Sequence, residues 1–201
     1  MQAPDRHSRH AFECTLWDHP LTGPLLRRWP RIALPDAWLS GSTLAQVWWN
    51  RIFGLPPTHG IADLDLVYFD GEDLSEAGEA AQAGRVRAAF DEVPVRIDVK
   101  NQARVHLWYA ARFGYAIPPY RCCAEAIATF PTTAAAVGVR AHDGRIETLA
   151  PFGLDDLLRP IVRPNRVQVT EAIYARKVAR WRERWPLLPI VPWQPDPPAA
   201  P

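Results

Sequence analysis

The segment IADLDLVYFD, Ile61 to Asp70, constrains this chain more than any other stretch. Leu64, Leu66 and Tyr68 alternate with Asp63, Asp65, Val67 and Phe69, the period-two pattern of a strand with one buried face. That alternation sets the carboxylates of Asp63 and Asp65 on the same side, one strand period apart. Like charges ~4 Å apart repel by about 4 kcal/mol at an effective dielectric of ~20. A fold that builds such a face brings a cation or a proton to it. The plain alternative is an acidic surface patch with salt bridges to Arg96 or Lys100.

A second acidic strand follows. In VPVRIDVK, Val93 to Lys100, Val95, Ile97 and Val99 alternate with Arg96, Asp98 and Lys100, so Asp98 stands on that strand's polar face. If the two strands are neighbours, Asp63, Asp65 and Asp98 converge on one side of a sheet. Upstream, Leu34 to Gly41 reads as an approach segment ending in a turn. Gly41 and Ser42 then open a helix in which Leu44, Val47, Trp48 and Ile52 share a face, with Ser42 or Thr43 as cap and Gly54 just past the end.

Further helices are predicted within Leu21 to Ile32, from Ser75 to Phe90, after Asn101 as far as Gly114, and around Cys122 to Phe130. The last runs from a Thr170 cap to Trp185. Its apolar stripe is Tyr174, Val178, Trp181 and Trp185; the opposite face carries Arg176, Lys177, Arg180 and Arg184, either solvated or turned toward phosphate. Asp143-Gly144 between two alternating arms predicts a hairpin with a type I′ turn. The fold class is α+β, a mixed β-sheet flanked by helices.

The 201 residues suit one domain. Residues 1–20 are expected to be loosely ordered, 21–192 to form the domain, and the Pro-rich tail 193–201 to be disordered. A formal net charge of +1 gives no global argument for a nucleic acid, a membrane or a strongly acidic partner. No run of about 18 apolar residues marks a membrane span, and the first ten residues lack the apolar core of a signal peptide. The three cysteines are odd in number and form no C-x-x-C pair. That excludes a disulfide framework or zinc ribbon and suits a cytoplasmic protein. Neither a P-loop nor a dinucleotide-binding glycine motif is present.

The remaining constellation is chemically coherent. Magnesium takes oxygen ligands and is commonly held by a few carboxylates together with substrate phosphates. Paired metal ions ~3.5–4 Å apart stabilise both the attacking and the leaving oxygen of an in-line displacement. Backbone amides at a helix N-terminus bind phosphate oxygens, and glycine lets them come close. The cation at the acidic strand is thus expected to be divalent and to arrive with a nucleoside triphosphate.

The order of Gly41-Ser42, then Asp63-x-Asp65, then Asp98 on a later strand resembles the DNA polymerase β-like nucleotidyltransferase superfamily. More narrowly, the chain is similar to a bacterial nucleotidyltransferase-like family once classed as a domain of unknown function. The likeness rests on GSTLAQVWWN, ADLDLVYFD, VKNQARVH at Val99 to His106, AVGVR at Ala136 to Arg140 and LAPFGLDDL at Leu149 to Leu157. Together these blocks span roughly Leu34 to Trp185.

The resemblance implies the nucleotidyltransferase (DNA polymerase β-like) fold and magnesium- or manganese-dependent transfer of a nucleoside monophosphate from a triphosphate to an acceptor, releasing pyrophosphate. It leaves the acceptor undefined. By position, Gly41 and Ser42 would contact the triphosphate, Asp63 and Asp65 would ligate metal, and Asp98 would complete the metal site and help activate the acceptor hydroxyl. The chain departs from the common pattern in the longer connection between Ser42 and Asp63, through Leu55 to Ala62. Asn101 and Arg104 are either near the substrate or structural, Asn101 capping a helix and Arg104 pairing with an acid. The rival reading is a catalytically inactive nucleotide-binding or protein-interaction module on the same fold. The nucleotide, the acceptor and the oligomeric state are open.

Overall fold

The computed structural model describes residues 6–194. Its elements run α1 (Arg6–Asp18), α2 (Thr22–Arg27), β1 (Trp38–Ser40), α3 (Ser42–Ile52), β2 (Asp63–Tyr68), α4 (Glu76–Ala89), β3 (Arg96–Asn101), α5 (Val105–Phe113), α6 (Cys123–Ile127), β4 (Gly138–His142), β5 (Arg145–Leu149), α7 (Asp155–Leu158) and α8 (Glu171–Arg184). The five strands make one mixed sheet in the order β3-β2-β1-β4-β5. This is the expected α+β architecture.

Strand β2 pairs in parallel with β3 and antiparallel with β1. The parallel pair needs a crossover, and α4 supplies it. The Ser75 hydroxyl caps that helix by accepting from the Gly78 amide at 3.0 Å, as its N-cap position predicts. At the other edge, β4 and β5 form the expected hairpin, with Asp143 and Gly144 both at positive φ, 48° and 71°. A type I′ turn requires that.

The two sheet faces differ. Leu64, Leu66 and Tyr68 of β2 and Ile97 and Val99 of β3 enter the main core. There they meet α1, α3 and α4 through residues such as Phe12, Leu44, Val47 and Val86. The opposite face carries a smaller cluster of Trp38, Val67, Cys123 and Ile127, covered by α6. Beyond that cluster the face stays open around the acids.

A tryptophan contact fixes α8 to α3. The Trp49 ring lies edge-on to Trp181 and Trp185, with centroids 4.9 and 5.6 Å away. Such pairs contribute ~0.5–1.5 kcal/mol beyond their buried area. The Trp185 indole N–H donates to Asn50 Oδ1 at 2.8 Å, and the Asn50 amide donates to the carbonyls of Pro57 and His59. The long connection between α3 and β2 is therefore held in place.

Three expectations are corrected. Residues 1–20 are not loosely ordered where described: Arg6–Asp18 is helical, and Phe12 and Leu16 are fully buried in the core. The approach segment contains the central strand β1, too short at Trp38–Ser40 to show a period. Ser42 and Thr43 do not cap α3; Gly41 sits at that position and no side chain bonds the first turn. The disorder expected for 195–201 falls outside the described residues, while Trp193 itself packs on Tyr174 at 5.9 Å.

Candidate active site

The strand register brings the acids together. Asp65 of β2 and Asp98 of β3 are direct partners across the parallel pair, and Asp63 is the partner of Arg96. Adjacent strands lie about 4.8 Å apart and partnered side chains leave the same face. Asp63, Asp65 and Asp98 therefore share one face, as the sequence predicted on the condition that the strands were neighbours.

Gly41 lies against Asp65. It leaves β1 at φ +79°, a conformation that costs glycine nothing and other residues a good deal. A Cβ there would fall on Asp65 Oδ2, inside van der Waals contact. The turn therefore brings backbone, not a side chain, against the carboxylate. The amides at the start of α3 are left without a side-chain cap, which makes them available to an anion. The Thr43 hydroxyl donates to the Asp63 carbonyl at 3.0 Å and fixes the helix start to the strand.

Cations stand on both sides of the acids. Arg96 reaches Asp63 at 3.3 Å and Asp98 at 3.6 Å, one of the ion pairs expected for an acidic patch. Lys177 projects from α8, half-buried and packed on the Trp181 ring at 4.9 Å. Burial pushes Asp65 up to about 6; Lys177 opposes that shift and the charges of Asp63 and Asp98 add to it. Burial pulls Lys177 down, against the attraction of Asp65.

Two concavities meet there, with Ser42 and Lys177 between them. One, of about 270 Å³, is floored by Gly41, Asp65 and Asp98 and walled by aromatic side chains of α5 and the 120–131 segment. The other, of about 330 Å³, is lined by Gln46, Asp63, Arg180 and Arg184. The cationic face of α8 is therefore turned partly toward the site and is not wholly solvated.

Asn101 and Arg104 are placed elsewhere. Asn101 is buried; its Oδ1 accepts from the amides of Ala103 and Asp70, and its Nδ2 donates to the carbonyls of Asp70 and Asp73. Arg104 pairs with Glu79 at 3.0 Å, a buried contact, and donates to the Leu74 carbonyl. Both tie β3 to the segment before α4, the structural alternative considered for them, and neither lines the concavities. His59 is likewise anchored, bonded to the Arg184 carbonyl at 2.9 Å and edge-on to Trp185. Arg140 is engaged by Glu147 and by the Trp38 ring. Lys177 was visible only as one cation on a charged helix face, and the aromatic wall gave no sequence signal distinct from core.

The donor set at the sheet is all carboxylate oxygen, the chemistry that magnesium or manganese favours, and Asp65 is held up mainly by burial, with the other two acids adding to the shift and Lys177 and Arg96 opposing it. Among the described residues, however, no three His, Cys, Asp or Glu side chains are grouped as a metal site. Arg96 lies against two of the three acids. Asp65 and Asp98 are the pair whose shared face and charge fit a divalent cation.

A mixed sheet with paired acids beside a glycine turn at a helix start is the arrangement the sequence resemblance led one to expect. The chain belongs to the family described as Nucleotidyltransferase, whose model matches residues 27–190. A solved NMR structure described as revealing a CCA-adding enzyme head domain superposes with a TM-score of 0.74 at 22% identity, covering 92% of this chain and 96% of that one. It shows that the fold is shared. A tRNA-processing enzyme in an apo form gives a TM-score of 0.42 at 13% identity, covering 77% of this chain and 41% of the other. The comparison with curated proteins gave no match. No helix among the described residues is long and apolar enough to cross a membrane.

Proposed function

We propose that this nucleotidyltransferase acts in the cytoplasm, takes a nucleoside triphosphate as donor and releases pyrophosphate on transfer of the nucleoside monophosphate. The observation that carries the reading is the juxtaposition of Asp65 and Asp98 on one face, with the Gly41 turn pressed against Asp65. The description of the fold's solved neighbour as a CCA-adding enzyme head domain is consistent with a nucleotide donor.

Roles follow from position. The Gly41 turn and the open amides of α3 bind phosphate oxygens, with the Ser42 hydroxyl beside them. Lys177, between the two concavities, faces the negative charge of the donor. Asp98 accepts the proton of the acceptor hydroxyl as its oxygen bonds to the α-phosphorus and the bond to the bridging oxygen breaks. Magnesium or manganese would be held by Asp65 and Asp98, with Asp63 beside them, and when bound supplies charge neutralisation and polarisation of the phosphoryl oxygens. Positioning and electrostatics then account for most of the rate.

The Arg96 contacts favour a second reading, in which a protein cation satisfies the acids and the fold binds nucleotide without transfer. One experiment separates the two. Purified protein is incubated with each nucleoside triphosphate, with and without magnesium, against a broad acceptor panel, and pyrophosphate release is followed. Magnesium-dependent release that disappears in Asp65→Asn and Asp98→Asn supports transfer. Nucleotide binding by calorimetry with no release supports the inactive module and overturns the enzyme.

A further inference from the structure

We infer that the acceptor is a small molecule bearing a planar aromatic ring and a hydroxyl, bound in the 270 Å³ cavity in front of Asp65 and Asp98. This rests on the transfer reading and names its second substrate.

The two concavities differ in chemistry. The one toward α8 is lined by the three cations Lys177, Arg180 and Arg184 against the two acids Asp63 and Glu183, and opens beside Ser42 and the start of α3. That side suits a polyphosphate. The other extends past Asp98 and Gln102 to Trp108, Tyr109, Phe113 and Phe130, and its cations are Lys100 and Lys177. Lys100 already faces Glu79 at 3.4 Å. A cavity so poor in unpaired cations is not a track for a phosphodiester chain. Its volume sits near the lower end of small-molecule sites, roughly 300–1,000 Å³, enough for one ring system and a short side chain.

The wall is built and held. Tyr109 and Tyr115 share a hydroxyl contact at 3.1 Å, and Tyr115 donates to the Gln168 carbonyl at 2.8 Å. The Tyr120 hydroxyl meets both Thr129 Oγ1 and the Gln168 amide. These bonds link α5, the 115–120 segment, the end of α6 and the strap before α8. They occupy the tyrosine hydroxyls and leave ring surface toward the cavity. Tyr109 and Phe113 stand 4.5 Å apart at the centroids, and Trp108 is roughly parallel to Tyr109 at 6.1 Å. Rings fixed in this way favour a flat aromatic guest over a saturated one of equal volume. A hydroxyl on that guest enters at the Asp98 end, where its proton is taken.

The test uses tyrosol as probe, observed by ligand-detected NMR with the full chain. Tyrosol is expected to bind, cyclohexylethanol to bind at least about tenfold more weakly, and added ATP with magnesium to leave tyrosol in place. Trp108→Ala, which removes a ring from the wall, and Ile173→Trp, which fills the cavity from α8 and leaves every wall residue in place, should each weaken tyrosol about tenfold. ATP binding should be unchanged in both. Equal tyrosol binding in wild type and Ile173→Trp overturns the inference. So does displacement of tyrosol by ATP, which assigns the cavity to the donor base, and so does binding of a short RNA with none of tyrosol. Tyrosol binding as expected, with no pyrophosphate release from any triphosphate, supports the cavity's chemistry and refutes the transfer reading alone.

Discussion

Replacing Asp65 by Asn should remove a pH-dependent destabilisation from the metal-free protein. Asp65 is held at about 6 in the folded chain, against an ordinary 3.8, by burial and by its acidic neighbours. Between those values the folded state carries a proton that the unfolded state has released. Stability is therefore greatest below the unfolded value and declines as pH rises through about 6. A two-unit difference corresponds to a ceiling of about 3 kcal/mol, and partial solvent access reduces the expected effect to about 1–2 kcal/mol. Asn keeps the shape and cannot titrate. The variant leaves Lys177 without its counter-charge, but that cost is an offset, so the diagnostic quantity is the slope. Urea unfolding followed by tryptophan fluorescence in chelator, from about pH 4 to about pH 7.5, measures it. The stability of Asp65→Asn relative to wild type should grow by about 1–2 kcal/mol across that range. Parallel profiles would refute the placement of Asp65 in a buried, like-charged environment.

Three other substitutions have distinct expected outcomes. Gly41→Ala meets positive φ and the Asp65 carboxylate at once; a loss of about 1–3 kcal/mol in urea unfolding and of nucleotide binding is expected, and an unaffected variant would remove the turn from the site. Lys177→Met keeps the packing on Trp181 and removes the charge, so calorimetry should show nucleotide affinity falling at least about tenfold, with the thermal midpoint lowered at neutral pH, where Asp65 loses its counter-charge. Arg104→Ala removes the buried partner of Glu79, which keeps Lys100 at 3.4 Å and the Asn101 amide; it should cost about 1–3 kcal/mol yet leave nucleotide affinity intact in the folded fraction, whereas a selective affinity loss would return Arg104 to the substrate.

The acidic face was legible because strand alternation is a local property: Asp63, Asp65 and Asp98 are placed by period two whatever surrounds them. Their meeting was not, because it depends on the α4 crossover making β2 and β3 parallel neighbours in register. β1 escaped notice for a related reason. Its three residues carry no measurable period, and their strand identity comes from pairing with β2 on one side and β4 on the other. Helix α1 was missed because its sequence is polar on average and only Phe12 and Leu16 are fully buried. Asn101 and Arg104 follow the third acid in sequence, but Asn101 ends β3 in phase with the core residues Ile97 and Val99, and Arg104 lies in the turn beyond, paired with Glu79 of α4. Nearness in sequence to a site residue said nothing about the face.

Lys177 shows how the core determines the electrostatics of the site. Nothing in the charge pattern of α8 distinguishes it from Arg176 or Arg180. What selects it is the rotation of the helix, and that is set by Trp181 and Trp185 docking on Trp49, with Asn50 fixing the Trp185 indole. The same α3 that presents open amides beside Gly41 thus anchors the helix that brings a cation to Asp65. Arg96 comes from β3 by register alone and meets the acids from the strand side. The cations therefore have different mechanical origins: Lys177 depends on the tryptophan contact and Arg96 does not. A change confined to that contact, such as Trp185→Phe, which deletes the indole N–H and leaves a ring, should loosen α8 and lower nucleotide affinity while the Arg96 ion pairs persist. An affinity equal to wild type, with α8 shown by hydrogen exchange to be less protected, would mean that Lys177 is not the residue through which the core acts on the donor.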